Sequence, residues 1–137
     1  MSTGLVRLKR RVDFLRVAER RRRAVRDGLI LQPAPGPPQA VEGEVIRVGF
    51  TASRRVGNAV LRNRAKRRLR AAAAEVLARQ GRAGTDYVLI ARAATPARAY
   101  RALVGDLAGA LRQLERARVR SGGDDRLRPA KEERNDT

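Results

Sequence analysis

The spacing of apolar side chains along the 137-residue chain predicts three helices and three strands. Helical spacing of apolar positions predicts helices over residues 11–20, 59–79 and 97–118. Alternation or short apolar runs predict strands over residues 29–31, 45–52 and 87–91. Amphipathic helices beside a small sheet favour an α+β fold, a two-layer α/β sandwich with about four strands and three helices.

Proline, asparagine and polar residues mark the boundaries between these segments. The proline-rich stretch 33–41 predicts a loop, because proline cannot donate to a sheet ladder. Asn58 predicts an N-cap for the 59–79 helix, and Pro96 predicts the first turn of the last helix. Residues 1–120 are therefore expected to form a single domain, followed by a disordered polar tail over 121–137.

Charge changes the picture more than any other property. The chain has 32 Lys and Arg against 14 Asp and Glu, a formal net charge of +18, which indicates a polyanionic partner. The absence of cysteine and histidine excludes a zinc ribbon, a thiol nucleophile and a Ser-His-Asp triad. No apolar run reaches the length of a signal peptide or a membrane span, so we expect a cytoplasmic protein that binds no membrane.

The densest positive charge lies on the predicted 59–79 helix. Its basic residues are Arg62, Arg64, Lys66, Arg67, Arg68 and Arg70, with Asn63 among them and only Glu75 to offset them. Like charges four residues apart destabilise an isolated helix, and bound phosphates would remove that cost. The alternative, an ordinary solvated helix, usually interleaves acidic residues to form ion pairs. The pattern therefore predicts a nucleic-acid contact.

A basic turn, Ser53-Arg54-Arg55, stands directly before this helix. Free backbone amides and the positive end of the helix dipole favour anions at such a position. An ordinary basic turn is the alternative.

Aromatic and acidic residues limit the other chemistries. With only Phe14, Phe50, Tyr87 and Tyr100, base stacking cannot be the main source of affinity. Phe14 suits either a stacking platform or the core, because its helical spacing with Ala18 also fits burial. Pairs of neighbouring acidic residues lie in a predicted loop or in the tail, where nothing would hold them in a catalytic geometry. We therefore predict no catalytic residue and no metal site in the chain.

The segment from Arg47 to Arg70, RVGFTASRRVGNAVLRNRAKRRLR, closely resembles the signature of the bacterial ribonuclease P protein component. Leu8–Phe14 and Asp86–Arg92 extend the similarity, which covers roughly residues 5–116. The resemblance implies a protein subunit that binds a catalytic RNA subunit and the 5′ leader of precursor tRNA, and no DNA. In this family the RNA subunit uses Mg²⁺ to remove the leader as an endonuclease.

Residue roles follow from the resemblance position by position. It implies RNA contacts on the helix by Arg62, Asn63, Arg64, Arg67 and Arg68, and in the turn before it by Arg54 and Arg55. Lys66 and Arg70 are added to the predicted RNA contacts because they lie among these residues on the basic helix. The resemblance also implies a leader cleft between the N-terminal helix and the sheet. The residues expected in that cleft are Phe14, Phe50 and Ser53. A left-handed crossover between the strands that flank the basic helix is also implied, against the usual rule.

Two positions depart from the family pattern. Other members often carry a second aromatic one helical turn beyond Phe14 and a tyrosine on the first strand, where this chain has Ala18 and Gln32. The rival interpretation is a basic ribosomal or ribonucleoprotein-assembly protein without any role in cleavage, which composition alone fits equally well. A protein-only nuclease would require positioned carboxylates, which the sequence does not offer.

Overall fold

The computed structural model describes residues 4–122. Within these residues the chain forms five strands, β1 (Leu5–Arg7), β2 (Ala24–Val25), β3 (Leu29–Pro35), β4 (Ile46–Thr51) and β5 (Thr85–Ala91). The helices are α1 (Arg11–Glu19), α2 (Pro38–Glu42), α3 (Ala59–Gln80) and α4 (Tyr100–Arg120), and a short 3₁₀ turn spans Arg54–Val56. The predicted α+β class is confirmed.

The strands form one mixed sheet in the order β1-β4-β5-β3-β2. β4 runs parallel to both β1 and β5, whereas β3 is antiparallel to β5 and β2. The parallel β4 and β5 are joined through α3, as a crossover unit requires. The left-handed sense of this crossover stays a prediction.

Helices cover the sheet unequally. α3 and α4 pack on one face and enclose the main core, which includes Leu31, Leu69, Leu89 and Leu107. α1 packs on the opposite face, where Val17 and Val88 belong to a second, smaller cluster. The two predicted layers are thus present, with α1 as a partial cover over the other side.

α3 forms where its apolar spacing predicts it. The Asn58 side chain accepts a hydrogen bond from the Leu61 amide at 2.9 Å, which confirms the predicted N-cap. Of the predicted core stripe, Ala65, Leu69, Ala72 and Val76 are buried, and Leu61 is partly buried.

The proline-rich segment is not the predicted loop. β3 continues through Pro33 and Pro35, and α2 begins at Pro38. Gly36 donates to the Gly84 carbonyl at 2.8 Å, so alternation along the strand turns the nitrogens of Pro33 and Pro35 away from β5. That side is open because β2 pairs only with Ile30 and Leu31, and proline is tolerated at a strand edge.

Other element boundaries also differ from the predictions. The last helix begins at Tyr100, because the segment before it turns back on itself: the Thr95 hydroxyl accepts from the Arg92 amide and donates to the Gly28 carbonyl. β1 and β2, of three and two residues, are too short to show alternation. The predicted tail lies outside the described residues except for Ser121 and Gly122. Between residues 4 and 122, no helix has both the length and the hydropathy to cross a membrane.

Candidate nucleic-acid interface

The turn that leads into α3 is held by its own hydrogen bonds. The Ser53 hydroxyl accepts from the Arg55 amide at 3.3 Å. Gly57 has φ of 143°, and a β-carbon there would lie 2.5 Å from the Leu61 side chain, so the turn requires glycine. The Arg62 guanidinium donates to the Gly57 carbonyl at 3.1 Å. The beginning of α3 is thereby fixed relative to the exposed side chains of Arg54 and Arg55.

Positive charge on the first half of α3 is not neutralised within the described chain. Asn63, Arg64, Arg67 and Arg70 are exposed, and no ion pair to a carboxylate is found for any basic residue from 54 to 70 within the part of the chain that the structure describes. The only acidic residue on α3, Glu75, instead accepts from the Tyr100 hydroxyl at 2.6 Å and pairs with Arg101. This surface therefore carries an uncompensated positive potential.

Arg68 differs from its neighbours. Its guanidinium is partly buried and donates to the backbone carbonyl of Arg98, while its Nε atom is buried with no partner in the structure. Arg98 is itself held by Asp106, with 2.5 Å between Nε and Oδ2. Arg68 thus ties α3 to the segment before α4, a structural role that sequence reasoning did not predict.

Phe14 lies directly over β4. A β-carbon on Gly49 would come within 2.5 Å of the Phe14 ring, so the ring occupies the space that glycine leaves open on the strand. Phe14 packs against the cluster of Leu8, Val17 and Val88 and remains partly exposed. The ring is therefore partly buried against the core and partly open to solvent, and its predicted role as a stacking platform stays a prediction.

A buried ion-pair network lies beneath α1 on the same face. Asp86 is fully buried and accepts two hydrogen bonds from Arg47, at 2.9 and 2.7 Å, and one from Arg16 of α1. Arg47 also contacts Asp13 at 3.4 Å, and Arg16 donates to the Pro35 carbonyl at 2.7 Å. The network joins α1 to three strands.

The charges in this network shift two pKa values. Burial of the Asp13 carboxyl opposes ionisation, but Arg47, Arg10 and Arg16 together outweigh it and hold the pKa of Asp13 below its ordinary value. The hydrogen bond to Asp86 raises the pKa of Arg47. Both shifts favour the charged forms, the carboxylate of Asp13 and the guanidinium of Arg47.

Phe50 does not share the cleft with Phe14, so the predicted grouping of these two residues is wrong. Alternation along β4 turns Phe50 toward α3, where it packs against the main core. Arg70 of α3 lies 5.8 Å from its ring centroid. Ser53 lies beyond the end of β4, in the turn before α3. Of the three residues predicted for the cleft, only Phe14 lies between α1 and the sheet.

The chain matches a known protein family over most of its length. A model of the family described as Ribonuclease P matches residues 4–115. The chain belongs to the ribonuclease P protein family. It is 50% identical over 114 residues to the ribonuclease P protein component of Paramagnetospirillum magneticum, covering 83% of this chain and 86% of the relative. The protein component of Ruegeria pomeroyi is also 50% identical over 114 residues, covering 82% and 89%.

Solved structures of the ribonuclease P protein share the fold. The Staphylococcus aureus protein superposes with a TM-score of 0.64 at 22% identity, covering 78% of this chain and 93% of the other. The Thermotoga maritima protein superposes with a TM-score of 0.60 at 22% identity, covering 80% and 96%. The α+β fold of this chain is therefore the fold of solved ribonuclease P proteins, in agreement with its membership of the family.

Sequence reasoning missed the ion-pair residues of this family member. Asp86 precedes a strongly apolar run and Arg47 interrupts another, and a charge within a predicted strand is the signal that could have located them. Between residues 4 and 122, no cluster of three or more acidic, histidine or cysteine side chains could hold a metal ion.

Proposed function

We propose that this ribonuclease P family protein binds the catalytic RNA subunit and the 5′ leader of precursor tRNA, and so assists endonucleolytic removal of the leader. The observation that carries the proposal is the uncompensated cationic surface from Arg54 to Arg70. A surface helix without acidic partners gains stability when phosphates bind, and arginine suits phosphate because its planar guanidinium donates two hydrogen bonds at once.

Within this proposal the α3 surface faces the catalytic RNA. Arg54, Arg55, Arg64 and Arg67 are exposed and have no carboxylate partner among residues 4–122. Lys66 lies beside them and is partly buried. Arg68 contributes mainly by holding α3 against the segment before α4.

The leader occupies the α1 side of the sheet. Phe14 provides the aromatic surface there, and the exposed Ala18 lies one helical turn further along α1. Gln32 pairs in register with Val88 on the same face. With one aromatic side chain in place of several, stacking supplies less of the leader affinity and phosphate contacts supply more.

We expect Mg²⁺ to act within the RNA subunit, where it would stabilise the developing negative charge of phosphodiester hydrolysis. The chain's own part is electrostatic: its cations reduce the repulsion between the leader phosphates and those of the catalytic RNA. The cytoplasm is the location that we propose for this activity.

Reconstitution tests the proposal directly. Purified protein is incubated with precursor tRNA at low Mg²⁺, with and without the cognate catalytic RNA transcript, and the released leader is resolved on a denaturing gel. We expect cleavage only with the RNA, and faster cleavage when the protein is added. Cleavage by the protein alone, or an RNA-catalysed rate that the protein leaves unchanged, would contradict the proposal and favour an RNA-holding protein of another kind.

A further inference from the structure

The Phe50 ring has an arginine near it from each of two separate elements. The Arg7 guanidinium, on the edge strand β1, lies 5.9 Å from the ring centroid, and that of Arg70, on α3, lies 5.8 Å from it. Both arginines are exposed and Phe50 is partly buried. Contacts of this length are within the range of cation–π attraction.

A groove of about 350 Å³ opens beside this ring, between β1 and the second half of α3. Its size is at the lower end for small-molecule sites. Leu5 and Val48 of the sheet and Ala74 and Ala78 of α3 line it, with Arg7 and Arg70 at its rim. The floor is apolar, and the alanines leave it open. Among the described residues that line it, the only charged ones are Arg7 and Arg70, both positive.

The two guanidiniums have no carboxylate partner within residues 4–122. Their positive charges repel each other because both lie within 6 Å of the same ring centroid. An anion bound by both would replace that repulsion with two charge-assisted hydrogen bonds. An apolar floor with a phosphate-binding rim matches a nucleotide, whose base is flat and whose phosphate is charged.

The groove continues the basic surface of α3. Asn63, Arg67, Arg70, Ala74 and Ala78 follow one another at intervals of three or four residues, so they lie along one side of the helix. A strand of RNA that follows the exposed cations of Arg67 and Arg70 would therefore reach the groove at its end. Phe14 and the proposed leader cleft lie on the opposite face of the sheet.

We propose that this groove is a second RNA site, which binds one unpaired nucleotide of the catalytic RNA subunit. The base lies in the apolar groove beside Phe50, and its phosphate bridges Arg7 and Arg70. This inference rests on the proposed function. It adds Arg7, Phe50 and the β1 edge to the interface, and it allows the leader and the catalytic RNA to be bound at the same time on opposite faces.

Three variants test the site: Arg7→Gln, Arg70→Gln and Phe50→Leu. Arg79→Gln is the matched control, since Arg79 is an exposed arginine on the same helix that does not line the groove. Two affinities are measured for each protein over a range of salt concentrations. The first is binding to a labelled transcript of the catalytic RNA. The second is binding of the assembled holoenzyme to precursor tRNA relative to mature tRNA.

We expect Arg7→Gln and Arg70→Gln each to weaken catalytic RNA binding about tenfold and to flatten the log–log salt slope by about 0.7 to 0.9, one phosphate contact. Phe50→Leu should weaken binding about tenfold without changing that slope, because stacking is lost but no charge is removed. Arg79→Gln should change both quantities much less. The ratio of precursor to mature tRNA affinity should stay at the wild-type value in all of them.

Several results would overturn the inference. Equal losses of affinity for the catalytic RNA in Arg7→Gln and Arg79→Gln would indicate unspecific electrostatic attraction. A loss of affinity for precursor tRNA alone would indicate that the groove binds the substrate and not the catalytic RNA. If wild-type protein activates the catalytic RNA but the Arg7→Gln variant binds it as tightly as wild type, the second site is wrong while the proposed function stands. Thermal unfolding of each variant checks the fold, and the two exposed arginine variants keep the test decisive if Phe50→Leu is unstable.

Discussion

Replacement of Asp86 by asparagine is the sharpest test of how α1 is held on the sheet. The carboxylate of Asp86 is fully buried and accepts two hydrogen bonds from Arg47 and one from Arg16. Asparagine has nearly the same volume but carries no charge, and its amide nitrogen is a donor that would face the donors of Arg47. The substitution therefore leaves a guanidinium poorly paired inside the protein.

The expected cost follows from the exposure of each partner. Loss of one partner of a buried ion pair costs about 3–5 kcal/mol. The Arg47 and Arg16 side chains are 19% and 35% exposed, so water recovers part of the loss and we expect about 3 kcal/mol. The free energy of unfolding of a typical domain is roughly 5–15 kcal/mol, so a loss of this size is readily measured.

Urea unfolding followed by circular dichroism at several wavelengths gives the free energy of unfolding. Arg16→Gln should cost about 1 kcal/mol, because its guanidinium is closer to the solvent. Asp27→Asn is the control, since Asp27 is exposed and its removal should change stability by no more than about 0.5 kcal/mol. A loss below about 1 kcal/mol for Asp86→Asn would refute the reasoning that the network holds α1.

Further predictions concern the cleft, α3 and the dependence on pH and salt. Gly49→Val should displace the Phe14 ring, whose atoms lie 2.5 Å from the new β-carbon. It should therefore weaken binding of precursor tRNA more than binding of mature tRNA in a gel-shift assay. Equal losses of affinity for the two RNAs would contradict leader binding beside Phe14. Arg64→Ala should weaken RNA binding and leave the free energy of unfolding within about 0.5 kcal/mol of the wild-type value. Arg68→Ala should lower that free energy by about 1–3 kcal/mol, because it breaks the contact with the Arg98 carbonyl. A larger loss for Arg64→Ala than for Arg68→Ala in urea unfolding would refute the assignment of Arg64 to the solvent-facing side and Arg68 to the packed side of α3. The folded-state pKa of Asp13 lies below its ordinary value of 3.8, so its contribution to stability is present above that value and is lost as the pH falls through the folded-state pKa. Acid unfolding of Asp13→Asn should therefore lack part of the wild-type pH dependence below about pH 4, and an unchanged acid transition would contradict the shift. Affinity for RNA should fall steeply with salt, by about 0.7 to 0.9 in the log–log slope for each phosphate neutralised, and a flat profile in a filter-binding titration would exclude the electrostatic account.

Local pattern was enough to predict the elements with strong signals. α3 follows from a core stripe that repeats every three or four residues and from Asn58, whose side chain satisfies a backbone amide that the helix leaves unpaired. The basic surface could be predicted as well, because side chains that are not on the stripe must face away from the core. The resemblance over residues 47–70 then indicated the family.

Elements that depend on distant partners could not be predicted in the same way. β1 and β2 are strands only because β4 and β3 lie beside them. Prolines at 33 and 35 are compatible with a strand because their nitrogens face an open edge, which depends on where β2 ends. The late beginning of α4 depends on Thr95, which donates to Gly28, 67 residues away.

By itself, the sequence determined the charge, the α+β class, the position of α3 and the family, because these depend on composition, periodicity and short-range contacts. The tertiary structure decided which side chains meet. It placed Phe14 and Phe50 on opposite faces of one sheet, brought Arg16, Arg47 and Asp86 together from three elements, and directed Arg68 into the fold while leaving Arg64 and Arg67 exposed. Pairings of this kind require the strand order and the packing of helices on both faces, which no local pattern encodes.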